Sequence, residues 1–479
     1  MSRSIGLAAA FALAGLLPCE ALAATEADLA DIRAQIRELK ESYEARIQAL
    51  EQRVKEAEAK SASARPAEVA IPPVTAAAAA PPASPAPSAP APASPASSAP
   101  ASASANVFNP AIQAVLQGVY ASLSQDPTNY AITGFVPSGD IAPAKRGFSI
   151  AESELGLSAN VDDKIYGNLT LSLAPDNSIE VEEAYGMFTS LPYGITPKFG
   201  RFLSSIGYLN DQHQHIWDFF DAPLPYQAFL GGQFRSDGLQ VKWLAPTEMF
   251  LEFGGEIGDG SNFPGTDRNK NGIGSGAVYV HAGGELGTSN EWRAGLSTLQ
   301  LRPNDRQYTQ TDVAGRSVQQ SFSGRSQLTI ADFVWKWAPN GNAMNTSFKL
   351  QGEYFWRKET GDLTYDSDGA FGLTNTSSYA SRQSGWYLDG VYKFLPSWRA
   401  GARYDRLSSG TVDYGANGLV LAQESFKPQR YSVMFDYTPS EFSRFRLQWQ
   451  QSRIQRDLTD NQIFVQYILT LGAHGAHKF

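Results

Sequence analysis

The chain has 479 residues, with 48 acidic against 39 basic side chains and a formal charge of -9, the opposite of the basic footprint of a nucleic-acid binder. Its single cysteine, Cys19, lies in a stretch read below as removable, which leaves a mature chain without disulfides, thiol nucleophiles or thiolate metal sites. Beyond that stretch no apolar run approaches the ~18 to 20 residues of a transmembrane helix, yet 11% of the residues are aromatic and 42 are glycine, a composition suited to strands with one apolar and one polar face.

Residues 1-23 read as a secretory signal, with the basic Arg3, an apolar run from Ile5 to Leu17, and the small residues Ala21 and Ala23 before the expected cut. Pro18 before Cys19 does not suit a lipoprotein signal. Residues 24-60 are expected to be helical. Leu29, Ile32, Ile36, Leu39, Tyr43, Ile47, Leu50, Val54 and Ala57 follow steps of three and four, with one extra four between Tyr43 and Ile47. This is an a/d seam with one stutter, where a supercoil locally unwinds. Two readings stay open: a coiled coil, because so narrow a stripe buries little unless it meets a copy of itself, or a single amphipathic helix on a barrel or membrane surface. Residues 61-105 are almost wholly Ala, Pro and Ser, which bury no core and favour a disordered, semi-rigid polyproline linker.

Residues 106-479 alternate short amphipathic stretches with breaks. Strands are expected at 107-123, 147-160, 163-174, 178-190, 194-203, 236-244, 248-257, 276-287, 289-301, 321-338, 344-358, 384-395, 397-408, 427-438, 441-454 and 461-471, about sixteen in all. Every second break is short and rich in turn residues, as at 191-194, 338-341 and 438-441, while most of the others are long and polar. An outer-membrane barrel sorts its connections this way, with tight turns in the periplasm and long loops outside the cell. Within 461-471, Ile463, Val465, Tyr467, Leu469 and Leu471 share one face and Gln462, Gln466 and Thr470 the other. Within 441-454, Phe445, Leu447 and Trp449 oppose Arg444, Arg446, Gln448 and Gln450. Trp386, Tyr392, Phe394 and Trp398 would form interfacial girdles. The expected fold is therefore all-β, a transmembrane antiparallel β-barrel of about 16 strands, preceded by the short α-helical coiled coil and the linker.

A C-terminal aromatic, here Phe479, resembles the signal by which the barrel-assembly machinery recognises outer-membrane proteins. The sixteen-strand layout resembles the general porins, whose third loop folds into the lumen and narrows it. By that resemblance Asp211, His213, His215, Asp218 and Asp221 would line a pore constriction; the alternative is a surface loop packed by its own aromatics. With polar faces turned inward, Glu152, Glu154, Glu180, Glu182, Glu252 and Glu256 fall on early strands and Arg399, Arg403, Arg430, Arg444 and Arg446 on late ones. Either these charges set a field across the pore that favours small polar solutes, or they pair with each other and with loops.

His213 and His215, near Asp218 and Asp221, suit zinc as imidazole and carboxylate ligands, with His474 and His477 two further imidazoles at a three-residue spacing. Otherwise no cofactor is expected. Asp267 to Gly272 begins like a calcium loop, but Val278 stands where a Glu is needed, so it reads as a polar turn. No catalytic fingerprint with supporting context appears, and no enzymatic activity is expected. Residues 199-202, 213-218, 224-226 and the Gly/Ala/His tail are similar to a proteobacterial barrel family often labelled zinc-regulated TonB-dependent outer-membrane receptors, departing from such receptors in carrying a coiled coil and spacer where they carry a plug. The layout also resembles the polyphosphate-selective and sugar-specific porins with periplasmic extensions. These resemblances imply passive diffusion of small hydrophilic solutes or ions through a trimer in contact with outer-membrane lipid and lipopolysaccharide. Two alternatives are a receptor for zinc or a metal complex, and an envelope tether whose stalk contacts peptidoglycan.

Overall fold

The computed structural model describes residues 110-136, 139 and 141-472. The signal, coiled-coil and linker readings, together with His474, His477 and Phe479, lie outside the described residues.

Along 429-437, Arg430, Ser432, Met434 and Asp436 alternate with Tyr431, Val433, Phe435 and Tyr437. Only an extended chain, whose side chains point alternately to two faces, separates these sets. The same arithmetic repeats through eighteen strand segments: β1 (Ala111–Leu123), β2 (Gly147–Ile150), β3 (Ser153–Asn160), β4 (Ile165–Leu173), β5 (Ile179–Phe188), β6 (Ile195–Leu203), β7 (Arg235–Leu244), β8 (Phe250–Gly258) and β9 (Ser275–Glu285). They continue as β10 (Asn290–Leu301), β11 (Arg306–Thr311), β12 (Ser317–Trp337), β13 (Ser347–Tyr365), β14 (Asn375–Leu395), β15 (Trp398–Asp413), β16 (Gln429–Ser440), β17 (Ser443–Arg453) and β18 (Asp460–Gly472).

Neighbouring strands pair antiparallel, and β1 pairs with β18 from Gln113–Gly472 to Leu123–Gln462, so the sheet closes on itself. β2 and β3 both pair with β1, and β10 and β11 both pair with β12. Each couple is one interrupted wall strand, which makes a barrel of sixteen. Within the described residues, every stretch expected from alternation contains a strand. The boundaries differ most on one side of the wall, where β12 to β15 overrun the expected ends and β14 begins at Asn375 rather than 384. There the ladder continues on polar pairs such as Thr364–Thr376, whose hydroxyls lie 2.8 Å apart. β11, with the sequence Arg-Gln-Tyr-Thr-Gln-Thr, belongs to the same extension and carries no apolar period to betray it.

The barrel is inside out relative to a soluble one. Tyr431, Val433 and Phe435 are 42-50% exposed, whereas Arg430, Ser432, Met434 and Asp436 are 1% or less. On the outer surface Trp398 packs 4.4 Å from Tyr437, Tyr437 6.5 Å from Phe445, and Phe445 4.6 Å from Tyr467, a string of rings toward the short-turn end. Trp386, Tyr404 and Tyr431 form another toward the long-loop end, at centroid distances of 5.3 and 4.7 Å.

Candidate functional site: the segment folded into the lumen

The connection between β6 and β7, residues 204-234 and here termed L3, carries Ile206, Leu209, Trp217, Phe219, Leu224, Tyr226, Phe229, Leu230 and Phe234, too much apolar surface to leave in water. It turns inward, and all nine side chains are buried. Its neck is closed by polar contacts. The Ser204 hydroxyl and the Ser205 amide donate to Glu256 at 2.6 and 2.9 Å, and the Asn210 side-chain amide donates to the Ser204 and Phe234 carbonyls at 2.7 and 2.9 Å. Deeper in, Glu353 on β13 accepts from the Tyr208 and Leu209 amides at 3.1 Å each, from the Tyr226 hydroxyl at 2.9 Å and from the Tyr387 hydroxyl at 2.7 Å.

L3 contains one short helix, α1 (Leu224–Leu230), with Pro225 in its first turn and Gly231 in the left-handed region, φ 67°, just past its end. α1 is buried on every side, so its wall must be apolar too. Leu328, Ile330, Phe355, Tyr387 and Leu407 of β12 to β15 point inward to meet it, with Tyr226 and Phe355 at 5.0 Å edge to face. A lumen polar throughout was expected; this patch departs from it because a helix, not water, covers it.

The rest of L3 is charged, and its charges sort by wall. His213 and His215 face the acidic strands. His213 Nδ1 lies 3.1 Å from Glu182 Oε2 and 3.4 Å from Glu154 Oε2, while its Nε2 lies 3.2 Å from Glu183 Oε2. His215 Nδ1 lies 2.8 Å from Glu154 Oε1, and the two imidazoles stack at 5.8 Å. Asp218 and Asp221 face the basic strands. Asp218 pairs with Lys349 and, at 2.6 Å, with Arg399. Asp221 pairs with Arg430 and, at 3.0 Å, with Arg403, and accepts from Gln448 Nε2 at 2.9 Å. Arg446 holds Asp436 at 2.9 Å and donates to the Trp217 carbonyl at 2.8 Å, and Arg444 donates to the His215 carbonyl at 3.2 Å.

Burial alone would raise the Asp218 and Asp221 carboxyls; Lys349 and Arg399 beside the first, and Arg403 and Arg430 beside the second, outweigh it and hold both below the usual carboxylate range. Burial alone would lower His213. The carboxylates of Glu182, Glu183 and Glu154 outweigh that and hold it well above an ordinary imidazole.

Asp211 is half-buried and accepts from the Ser205 hydroxyl at 3.5 Å. Glu252 is beside His281, 3.1 Å away, and Glu180 lies apart from the L3 charges, exposed and paired with Arg235 at 3.2 Å. Glu183 escapes a strict alternation because Thr170 pairs with Glu183 and Leu171 with Val181, which makes Glu182 the extra residue of a β-bulge and turns two consecutive glutamates inward. Lys349, Glu353, Asp405 and Asp436 also line the site, and their parity with Gln351, Arg403 and Arg430 is the signal that could have found them.

Cavities of different size lie around L3. At the short-turn end lies a cavity of about 640 Å³ lined in part by Lys336, Lys349, Lys393, Arg399, Arg444 and Trp398. Beside Asp218, Asp221, Lys349 and Arg403 lies a cavity of about 20 Å³, room for about one water. Toward the long loops a cavity of about 180 Å³ opens beside Tyr130, Gln455 and Asp460.

No described family's profile matches the chain. Among solved structures it is similar to the loop-L8 deletion mutant of OmpT, an outer membrane protein of Vibrio cholerae, with TM-score 0.47 and 11% identity over 76% of this chain and 100% of that one. It is similar also to the outer membrane channel DcaP of Acinetobacter baumannii, with TM-score 0.47 and 12% identity over 76% and 97% of the two chains. An anion-selective porin from Comamonas acidovorans gives TM-score 0.46 and 9% identity over 76% and 99%. In sequence the chain is 31% identical over 359 residues to an uncharacterized protein of Aquifex aeolicus (strain VF5), covering 70% of this chain and 71% of the relative, and it belongs to the same family as that protein.

Proposed function

We propose that the protein is an outer-membrane channel for small hydrophilic solutes. The observation that carries this reading is a closed barrel, apolar outside and polar inside, narrowed from within by a segment of its own wall. The apolar outer belt suits hydrocarbon, and the short turns face the periplasm. Reconstitution into planar bilayers is expected to give small, discrete conductance steps; a folded barrel that never conducts sinks the reading.

The mouth at the short-turn end carries five cations against Asp218, Glu285 and Glu291 among its lining residues. Five cations against three carboxylates leave an excess of positive charge, and such a cleft concentrates anions. In a salt gradient the reversal potential is expected to report anion preference, and Lys336→Glu with Lys393→Glu to move it toward cations. An unchanged potential would remove the mouth as selectivity element.

The lipid-facing assignment has its own test. Leu447 lies on the outer face, 51% exposed, at the middle of β17. Leu447→Arg is expected to lower stability in phospholipid vesicles by about 2 to 4 kcal/mol, read from denaturant unfolding, if that face meets hydrocarbon.

A further inference from the structure

Where the first half of L3 meets β3 and β5, the acceptors outnumber the donors. His213 Nδ1 approaches Glu182 Oε2 at 3.1 Å and Glu154 Oε2 at 3.4 Å, and the three residues each offer one donor atom within 4.8 Å of the others, with both glutamates buried. One ring nitrogen carries at most one proton, which cannot serve two carboxylates. Among the described residues Glu154 Oε2 has no hydrogen-bond partner, although the residue is only 2% exposed. A buried carboxylate oxygen left so is costly unless a cation meets it.

Around these three atoms stands a second set. Glu183 Oε2 is 3.2 Å from His213 Nε2, and His215 Nδ1 is 2.8 Å from Glu154 Oε1. Metal sites are built this way: a ligating histidine donates its other N–H to a carboxylate, which fixes tautomer and ring plane, and the ligating carboxylate is itself hydrogen-bonded. The distances fit as well. With metal–ligand bonds of about 2.0 to 2.1 Å in a tetrahedron, donor atoms stand about 3.3 Å apart; the two separations from His213, 3.1 and 3.4 Å, bracket that value, and the two glutamates close on each other when the ion binds.

We propose that Glu154 Oε2, Glu182 Oε2 and His213 Nδ1 bind one divalent first-row transition cation, with zinc the best match to mixed imidazole and carboxylate donors and a fourth position left for water. His215 is then a positioning residue rather than a ligand, and so is Glu183. Binding displaces the Nδ1 proton of His213, and the cation ties L3 to the acidic wall as the arginines tie it to the basic one. The site goes beyond the channel reading, and it stands or falls without it.

The test uses the full chain folded in detergent, stripped with chelator and titrated near neutral pH with Co²⁺ and then Zn²⁺. His474→Ala and His477→Ala are placed in the background so that tail imidazoles do not contribute. One equivalent of Co²⁺ is expected to give visible tetrahedral absorption that Zn²⁺ abolishes. Glu182→Gln and His213→Ala are expected to weaken binding by at least about 100-fold, and Glu183→Gln by about 10-fold, the range of losses seen when outer partners of metal ligands are removed. Lys393→Ala, at the far mouth, should leave it unchanged. Absence of saturable uptake at one equivalent overturns the proposal, and so does uptake that survives Glu182→Gln in a barrel shown to be folded by its β-sheet circular dichroism. Because the readout is spectroscopic, a silent bilayer and a failed metal titration are separate results.

Discussion

Asp221→Ala is expected to give a barrel that folds, conducts severalfold more than the wild type in planar bilayers, and loses the narrow step at L3. Asp221 is the point where the tip of L3 meets Arg403, Arg430 and Gln448 on β15, β16 and β17. Removing one member of a buried ion pair costs about 3 to 5 kcal/mol because the remaining charge is left without compensation. Here the lower end applies, since Arg403 keeps Asp405 at 3.2 Å and Arg430 keeps the Tyr130 hydroxyl at 2.7 Å. That energy is drawn from L3 rather than from the wall, whose ladder of backbone hydrogen bonds does not involve Asp221. The cavity beside Asp221 is about 20 Å³, so an outward displacement of the tip opens space that is now nearly closed there. Asp221→Asn, which keeps hydrogen bonding without charge, is expected to fall between. An unchanged conductance in folded Asp221→Ala would show that L3 does not set the constriction.

The same anchor gives the wild type a dependence on acid. Asp218 and Asp221 have folded values below the ordinary carboxylate range. A group depressed on folding contributes stability above its unfolded value, near 4 for aspartate, and loses it as pH falls through the lower folded value. Conductance is therefore expected to stay flat from pH 7 to about 5 and to rise only below about 4, where protonation begins to release the arginines. Asp221→Ala should already be high at pH 7 and show a smaller rise.

The wall was legible in the sequence because its physics is local. A period of two that puts Phe445, Leu447 and Trp449 opposite Arg446, Gln448 and Gln450 specifies both the strand and the side that meets lipid, and tight turns alternating with long loops order the strands. The ends of β12 to β15 were not legible, since they run on polar pairs after the apolar period stops. The L3 residues were legible as a set, since a loop with so many aromatics needs somewhere to bury them. Their partners were not. That His213 answers to Glu182 and Glu183 depends on a one-residue bulge in β5, and that Asp221 answers to Arg403 and Arg430 depends on where a 31-residue segment crosses a lumen. Of the wall charges, Glu154 and Glu182 lie against the histidines of L3, and Arg399 and Arg403 against its aspartates.

Glu353→Leu is expected to detach the first turn of L3 while leaving the barrel closed. Glu353 is 3% exposed and receives two backbone amides and two tyrosine hydroxyls. A leucine fills the volume and accepts nothing. Each buried donor left unmet costs about 1 to 3 kcal/mol. Leu209 N retains the Tyr226 hydroxyl at 3.2 Å, but Gln351 donates to Tyr387 and cannot stand in as acceptor, so the Tyr208 amide and the Tyr226 and Tyr387 hydroxyls are left unmet, about 3 to 9 kcal/mol in all. Glu353→Gln keeps one acceptor oxygen and should cost about 1 kcal/mol. Gly207 offers an independent approach to the same contact. Its φ of +68° suits glycine, and a Cβ there would stand 2.3 Å from Glu353 Oε2. Gly207→Ala must therefore push the carboxylate off the Tyr208 and Leu209 amides, and its effect should add little to that of Glu353→Leu. Hydrogen exchange reads the outcome directly, because those two amides are expected to lose protection in both variants while amides of β13 and β14 keep theirs. Protected Tyr208 and Leu209 amides in Glu353→Leu would mean that L3 is held by its apolar contacts with β12 to β15 alone.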